Sequence, residues 1–225
     1  MQSMIGQLKQ QIGDLNKQVT DLNNQNGSNQ NQLNMSKEQL AAQQHRLAEM
    51  QALMDRQKKA IREIRQKMSD ALVGFNSNEL SVSVKNGKVY VSLQENLLFP
   101  SGSAVVNPKG KEALGKLAQV LNNNADITVD IEGHTDSIPI HGRYPDNWAL
   151  STARSTAIVR ILTTDYLVDP VRVIASGHSS YDPVQTNSTA DGRALNRRTE
   201  IILSPKLDEL FQLLASSPDS ESAGQ

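Results

Sequence analysis

The sequence predicts an α/β sandwich, in which helices cover one face of a mixed sheet, preceded by a long N-terminal helix. Two segments, 80–84 and 88–93, alternate apolar and polar residues around Asn86-Gly87, which is a strong β-hairpin signal. Helical periodicity and short apolar runs then alternate along the chain. The first seventy residues instead carry apolar side chains at intervals of three and four, as in a single long helix.

Five further elements of the domain are predicted from periodicity and turn signals. They are a helix from Pro108 to Leu121, a strand over 127–131, a helix from Asn147 to about Asp165, and strands over 171–175 and 199–203. Proline suits the first turn of a helix, where its missing N–H costs nothing. Segment 99–104 is predicted as a loop, and a polar loop begins at Gly177. The apolar residues of 207–214 suggest a short C-terminal helix.

Composition divides the chain into three parts. No aromatic residue precedes Phe75 and no proline precedes Pro100, so the first part is typical of a helix without a core of its own. From residue 79 the composition is that of a domain large enough to bury its own core. We therefore predict an arm over 1–74, a domain over 79–205 that folds without the arm, and a short helix with a disordered tail over 206–225.

Charge and cysteine content exclude several classes of protein. The net charge of −1 gives no basis for bulk binding of nucleic acid. Cysteine is absent, which excludes disulfides and thiolate metal sites. No apolar run reaches the length of a transmembrane helix, and the N-terminus lacks the pattern of a secretory signal. If the protein works outside the cytoplasm, we expect any contact with a membrane to come from a missing N-terminal part.

The arm carries a heptad pattern. Position a holds Ile5, Ile12 and Val19, and position d holds Leu8, Leu15 and Leu22. β-Branched residues at a with leucine at d favour a parallel dimer over a trimer. The pattern fails around Gly27 and returns in the same phase through Ile61 and Met68, which favours a continuous coiled coil over a hairpin that bends at Gly27. The arm is therefore predicted to be a spacer that self-associates.

One charged residue stands out in the helix that begins at Asn147. Arg154 falls on the same face as the apolar residues Leu150 and Ile158. A guanidinium cannot escape burial by losing its proton, so it needs an anion. Asp136, which follows the strand over 127–131, is the obvious internal anion. The two residues form either a salt bridge with a purely structural role or the two halves of a binding site. The ligand of such a site would bear an ammonium and a carboxylate.

Four ordered motifs resemble those of the OmpA-like C-terminal domain, and the resemblance covers residues 80–205. They are Phe99-x-x-Gly102-Ser103-Ala104, Glu132-Gly133-His134-Thr135-Asp136, Asn147-x-x-Leu150-Ser151-x-x-Arg154 and Gly192-Arg193-Ala194-x-Asn196-Arg197-Arg198-x-Glu200-Ile201. The family comprises peptidoglycan-binding modules of OmpA porins, Pal lipoproteins and MotB-type flagellar stators. The resemblance implies a βαβαβ-type mixed sheet and peptidoglycan as the partner. The stretch from Asp136 to Trp148 is especially similar to the stator and Bacteroidetes OmpA versions.

By this resemblance, Asp136 and Arg154 grip the diaminopimelate side chain of the peptide stem. A carboxylate suits the ammonium of that side chain, and a guanidinium fork suits its carboxylate. The remaining implied site residues are Thr135 and Leu150 beside the pocket, Phe99 on the opposite wall, and Asn147 at the helix N-terminus, whose amides favour an anion.

Several of these residues have structural alternatives. Asn147 or Asp146 could serve only as a helix N-cap. Trp148 could stack on a sugar or cover the edge of the core. Within the fourth motif, three polar residues are expected to brace loops and the last strand: Asn196, Arg197 and Arg198.

The sequence gives no catalytic constellation. None of the four histidines, His45, His134, His141 and His178, has zinc-ligand spacing to another, so we expect neither a metal nor a cofactor. The leading hypothesis is a non-enzymatic tether: a periplasmic domain of a Gram-negative outer membrane protein that binds the cell wall. The alternatives are a MotB-like stator component and a scaffold that recruits a protein through its coiled coil.

Overall fold

The computed structural model describes residues 2–205 and confirms the predicted fold class. The elements in chain order are α1 (Gln2–Ala71), β1 (Leu80–Lys85), β2 (Lys88–Gln94), α2 (Glu95–Leu98), α3 (Pro108–Asn122), β3 (Ile127–Gly133), α4 (Asn147–Arg160), β4 (Val173–Gly177), α5 (Ala190–Asn196) and β5 (Arg198–Pro205). A π-helical turn, Ile161–Asp165, continues α4, and a 3-10 turn, Pro170–Arg172, precedes β4.

The five strands form one mixed sheet in the order β1-β2-β5-β3-β4. Only the β3–β4 pair among them is parallel, and β5 lies in the middle, antiparallel to both β2 and β3. The predicted hairpin joins β1 to β2. Asn86 and Gly87 have φ values of 49° and 72°, as both central residues of a type I′ turn require.

Side chains alternate along β3 between the core and the opposite face of the sheet. Ile127, Val129 and Ile131 are buried in the core cluster, to which α3 contributes Leu114 and Leu117. The strand ends at a very close contact with α4. A Cβ on Gly133 would lie 2.1 Å from the Ser151 carbonyl oxygen, so only glycine permits this approach. The contact brings the start of α4 to the loop that follows β3.

Helix α1 is continuous through Gly27, so the hairpin alternative for the arm is wrong. The helix contributes to two compact units, one that ends at Leu53 and one that begins at Met54. In the first unit the heptad side chains are exposed: Ile5, Leu8, Ile12, Leu15, Val19 and Leu22.

The end of α1 differs from the prediction. Ile61, Ile64 and Met68, which the heptad pattern assigned to a coiled-coil seam, are buried in the core of the second unit, together with Leu72. The periodicity is the same in both settings, because a helix that packs on a domain and a helix in a coiled coil bury the same kind of stripe. The second unit therefore begins at Met54 rather than near residue 79.

Smaller differences concern short elements. Helices α2 and α5 were not predicted, since four and seven residues carry too little periodicity for detection. Strand β4 begins at Val173 rather than at residue 171, because Pro170 opens a 3-10 turn. The helix predicted over 207–214 lies outside the described residues. Within residues 2–205, no helix combines the length and the apolar character that crossing a bilayer requires.

Candidate ligand-binding site

A cleft of about 820 Å³ opens between the loop after β3, the start of α4, the segment after β2 and the residues just before β5. All six residues predicted for the site line this cleft: Phe99, Thr135, Asp136, Asn147, Leu150 and Arg154. Two charged residues that were not predicted for it, Glu95 and Arg197, line it as well.

Asp136 is held by partners on both of its carboxylate oxygens. It is only 5% exposed. Oδ1 accepts a hydrogen bond from the backbone N–H of Ile138 at 2.9 Å, and Oδ2 accepts one from Arg197 Nη1 at 2.6 Å. These bonds fix the direction of the carboxylate at the wall of the cleft.

Arg154 is buried, as the helical projection predicted, and is 2% exposed. Its Nε donates to the Ser103 carbonyl oxygen at 2.9 Å, and its Nη2 pairs with Glu95 Oε1. The guanidinium carbon lies 5.1 Å from the centre of the Phe99 ring, within the range of a cation–π contact. The guanidinium is thus anchored by an anion, a carbonyl and an aromatic face.

The anion that pairs with Arg154 is Glu95, and the expectation of a direct pair with Asp136 is wrong. Arg197 links Glu95 to Asp136. Its Nε donates to Glu95 Oε2 at 2.5 Å, and its Nη1 donates to Asp136. The order of charges along the cleft is therefore Arg154, Glu95, Arg197, Asp136. The sequence pattern could not show this, since Glu95 follows β2 and is 59 residues from Arg154.

The cleft carries two positive and two negative groups, which balance formally. Burial of the Arg197 guanidinium disfavours its charged form, but the hydrogen bonds to Asp136 and Glu95 outweigh burial and raise the pKa of Arg197 above its usual value. A site with both signs of charge and no net charge suits a zwitterionic ligand better than a simple anion or cation.

Asn147 holds the loop that carries Asp136. Its Nδ2 donates to the carbonyl oxygens of Asp136 at 3.2 Å and Ile138 at 2.9 Å, and its Oδ1 accepts from the Ile140 N–H at 3.2 Å. The N-cap of α4 is Asp146, which accepts from the Ala149 N–H at 2.8 Å. Asn147 therefore shapes the rim of the cleft. The helix is capped by Asp146 and not by Asn147.

The other predicted residues form the less polar walls. Leu150 and Phe99 are buried, and the hydroxyl of Thr135 donates to the Asp136 carbonyl oxygen at 3.0 Å. Trp148 stands outside the cleft lining, half exposed and stacked on Tyr181 with 5.6 Å between ring centres.

Three neighbouring polar residues between the end of α5 and the start of β5 have different partners. Asn196 braces a loop by accepting from the N–H groups of Val184 and Gln185, both at 2.9 Å, as expected. Arg198 bonds Glu200 at 2.8 Å. Arg197, between them, reaches the cleft instead. No single pattern in the sequence separates Arg197 from its neighbours, since Asn196 ends α5, Arg197 lies between the two elements and β5 begins at Arg198.

This arrangement defines a class: a mixed α/β domain whose cleft is lined by an ordered row of opposite charges. Residues 98–197 match the OmpA family, so the chain carries an OmpA family domain over these residues.

Individual relatives agree with this assignment. The chain is 28% identical over 130 residues to motility protein B of Bacillus subtilis, covering 57% of this chain and 50% of that protein. It is 35% identical over 126 residues to the probable lipoprotein YiaD of Escherichia coli, covering 56% of each. The chain thus spans about half the length of these curated relatives. The solved structure of the cell wall anchor of the T6SS from Pseudomonas aeruginosa matches with a TM-score of 0.57 and 32% identity, covering 64% of this chain and 97% of that one.

Proposed function

We propose that this OmpA-like peptidoglycan-binding domain holds the cell wall non-covalently, through the diaminopimelate of the peptide stem. The observation that carries the proposal is the row of four alternating charges in one cleft, with Arg154 at one end and Asp136 at the other. The end of the diaminopimelate side chain bears an ammonium and a carboxylate on one carbon. The ammonium and the carboxylate of the ligand can therefore each contact a group of opposite charge in the same cleft.

The residues have distinct roles in this proposal. Asp136 receives the ammonium, and the guanidinium of Arg154 receives the carboxylate in a charge-assisted hydrogen bond. Glu95 and Arg197 keep these buried charges compensated when no ligand is bound, which avoids the large cost of an unpaired buried charge. Asn147 keeps the Asp136 loop in place, so little ordering is required on binding. The site grips its ligand and carries out no reaction.

At the level of the whole protein, we propose a tether between the outer membrane and the cell wall. The domain would lie in the periplasm, and the attachment to the membrane would come from a part outside this chain. Similarity to the probable lipoprotein YiaD supports the attachment to a membrane in this proposal.

Similarity to motility protein B supports a second candidate, a stator component that anchors a motor to peptidoglycan. Deleting the gene in the source organism distinguishes the two roles. A tether predicts leakage of periplasmic proteins with normal swimming, whereas a stator predicts lost swimming with an intact envelope.

Co-sedimentation with purified sacculi tests the binding proposal. The full chain is expected to sediment with diaminopimelate-type sacculi and to remain in the supernatant with lysine-type sacculi, because lysine keeps the ammonium and lacks the carboxylate that Arg154 would hold. Failure to sediment with either would contradict wall binding and would favour the coiled-coil scaffold.

We also propose that the arm pairs with a second copy of the chain. The support is the stripe of exposed apolar side chains at a and d positions between Ile5 and Leu22. Light scattering of the full chain is expected to give a dimer at micromolar concentration. Leu15→Asn, which places an amide at a d position, should shift the mass toward the monomer, whereas Asn16→Gln, off the seam, should not. A monomeric wild-type chain would contradict the proposal.

A further inference from the structure

The imidazole ring of His134 is buried without a hydrogen-bond partner among the described residues. It is 1% exposed, and neither ring nitrogen has a partner among the described residues. Buried polar atoms in folded proteins are nearly always paired, so an imidazole with both nitrogens unsatisfied requires an explanation. The proposed grip on peptidoglycan does not use this side chain.

Carboxylates surround the ring of His134 at distances too long for hydrogen bonds. His134 Nε2 lies 3.7 Å from Glu132 Oε2, and His134 Nδ1 lies 3.9 Å from Asp182 Oδ2. Ligand atoms of Glu132, His134 and Glu200 all lie within 4.8 Å of one another. Four ligands placed tetrahedrally at about 2.1 Å from a zinc ion stand about 3.4 Å apart. The atoms of the cluster are spaced more widely than this, but near enough for small side-chain movements to bring them to metal-ligand distances.

A second histidine, His178, lies beside the cluster. The rings of His178 and His134 stack with 5.2 Å between their centres, and His178 Nε2 lies 3.5 Å from the same Glu132 Oε2. Glu132 Oε2 therefore lies within 4 Å of an Nε2 atom of each ring. His178 is half exposed, which leaves a route for an ion to enter from solvent.

The strand register explains why these residues meet. Glu132 on β3 pairs directly with Glu200 on β5, and Gly133 on β3 pairs with Gly177 on β4. A Cβ on either glycine would strike α4, at Ser151 or Thr152. The residue after each glycine, His134 or His178, therefore turns to the opposite face of the sheet. Glu132 and His134 are two residues apart, but Glu200 lies on β5 and His178 follows β4, so the spacing of histidines in the sequence does not reveal the cluster.

The net negative charge around the two imidazoles, and the hydrogen bonds that Arg198 donates to the nearby carboxylates, also favour a bound cation. Arg198 Nε holds Glu200 Oε1 at 2.8 Å, and Arg198 Nη2 holds Asp182 Oδ2 at 3.2 Å. Such outer hydrogen bonds orient the carboxylates that bind metals. Three carboxylates and one guanidinium leave a formal charge of −2 beside the two imidazoles, which a divalent cation would neutralise.

We propose that Glu132, His134 and Glu200 bind a divalent transition-metal ion such as Zn²⁺, with His178 as the further ligand. Imidazole and carboxylate donors together suit Zn²⁺ better than Ca²⁺ or Mg²⁺, which prefer oxygen ligands alone. The ion would join β3, β4 and β5 at the strand ends. Asp136 lies two residues beyond His134, so the ion would also brace the loop that forms the ligand cleft.

The test uses the full chain, stripped of metal with a chelator and titrated with ZnCl₂ by calorimetry and with CoCl₂ by visible absorption. The wild type is expected to bind one equivalent of Zn²⁺ and to give the strong absorption of Co²⁺ with four ligands. Glu132→Gln and His178→Ala, at partly exposed side chains, should each weaken binding at least tenfold. His141→Ala removes an exposed histidine outside the cluster and should bind as the wild type does.

Circular dichroism confirms that each variant is folded before its titration is interpreted. Absence of stoichiometric Zn²⁺ binding by the wild type would overturn the proposal. Equal affinity in the wild type, Glu132→Gln and His178→Ala would overturn it as well, because the ion would then be held elsewhere. Neither readout depends on peptidoglycan. The metal-binding proposal and the wall-binding proposal can therefore be confirmed or overturned separately.

Discussion

Arg154→Lys is expected to weaken binding to diaminopimelate-type sacculi at least tenfold, which corresponds to about 1.4 kcal/mol or more of binding free energy. Lysine keeps the positive charge but loses the planar fork that contacts Glu95 and the Ser103 carbonyl oxygen together. Truncating one partner of a buried charge pair costs about 2–5 kcal/mol in binding, so the tenfold figure is a lower limit for this conservative change. Quantitative co-sedimentation of the full chain measures the effect.

Arg160→Lys is the matched control for this substitution. Arg160 lies on the same helix and is exposed, whereas Arg154 is buried. We expect Arg160→Lys to bind sacculi as the wild type does. Thermal melts of both variants separate a loss of binding from a loss of folding. Wild-type affinity in a folded Arg154→Lys chain would show that the guanidinium does not hold the ligand and acts only as a partner of Glu95.

Removal of residues 1–78 is expected to abolish cooperative folding of the domain, whereas removal of residues 1–53 is not. Ile61, Ile64, Met68 and Leu72 are buried in its core. Full burial of such a side chain stabilises a protein by about 1.5–3 kcal/mol, so the four together contribute on the order of 6–12 kcal/mol as an upper limit. Typical domains have a total stability of about 5–15 kcal/mol. A chain that starts at residue 79 should therefore show no cooperative thermal transition, whereas one that starts at Met54 should show one.

A single substitution in the full chain checks the same packing. Met68→Ala is expected to lower the free energy of unfolding by about 2–5 kcal/mol, because it opens a cavity in a closely packed core. Met54→Ala is the control, since Met54 is on the same helix and 47% exposed. Denaturant unfolding of the two variants gives the comparison. Equal stability of both, or a cooperative melt of the chain that starts at residue 79, would restore the boundary that composition predicted.

Local patterns in the sequence were enough for most of the fold. Asn86-Gly87 marks its hairpin through the backbone conformation of the turn, and the apolar alternation of β3 reflects direct burial. The burial of Arg154 also follows from local information, because helical periodicity alone places it on the core face. In each case the signal and its structural cause lie within one element.

Features that depend on contacts between distant elements were not accessible in this way. The pairing of Arg154 with Glu95 depends on how the segment after β2 meets α4. The cluster around His134 depends on the register of three strands. The end of α1 illustrates a different limit: its apolar stripe correctly predicts a buried helix face, but a stripe does not identify the surface that buries it.

Calorimetric titration of the full chain with two stem peptides tests the central claim most directly. The peptides are identical except that one carries diaminopimelate and the other lysine at the third position, so they differ only in the carboxylate assigned to Arg154. We expect the diaminopimelate peptide to bind and the lysine peptide to bind at least tenfold more weakly. Equal affinity for both peptides would contradict the assignment of the cleft to diaminopimelate, and so would the absence of measurable binding to either.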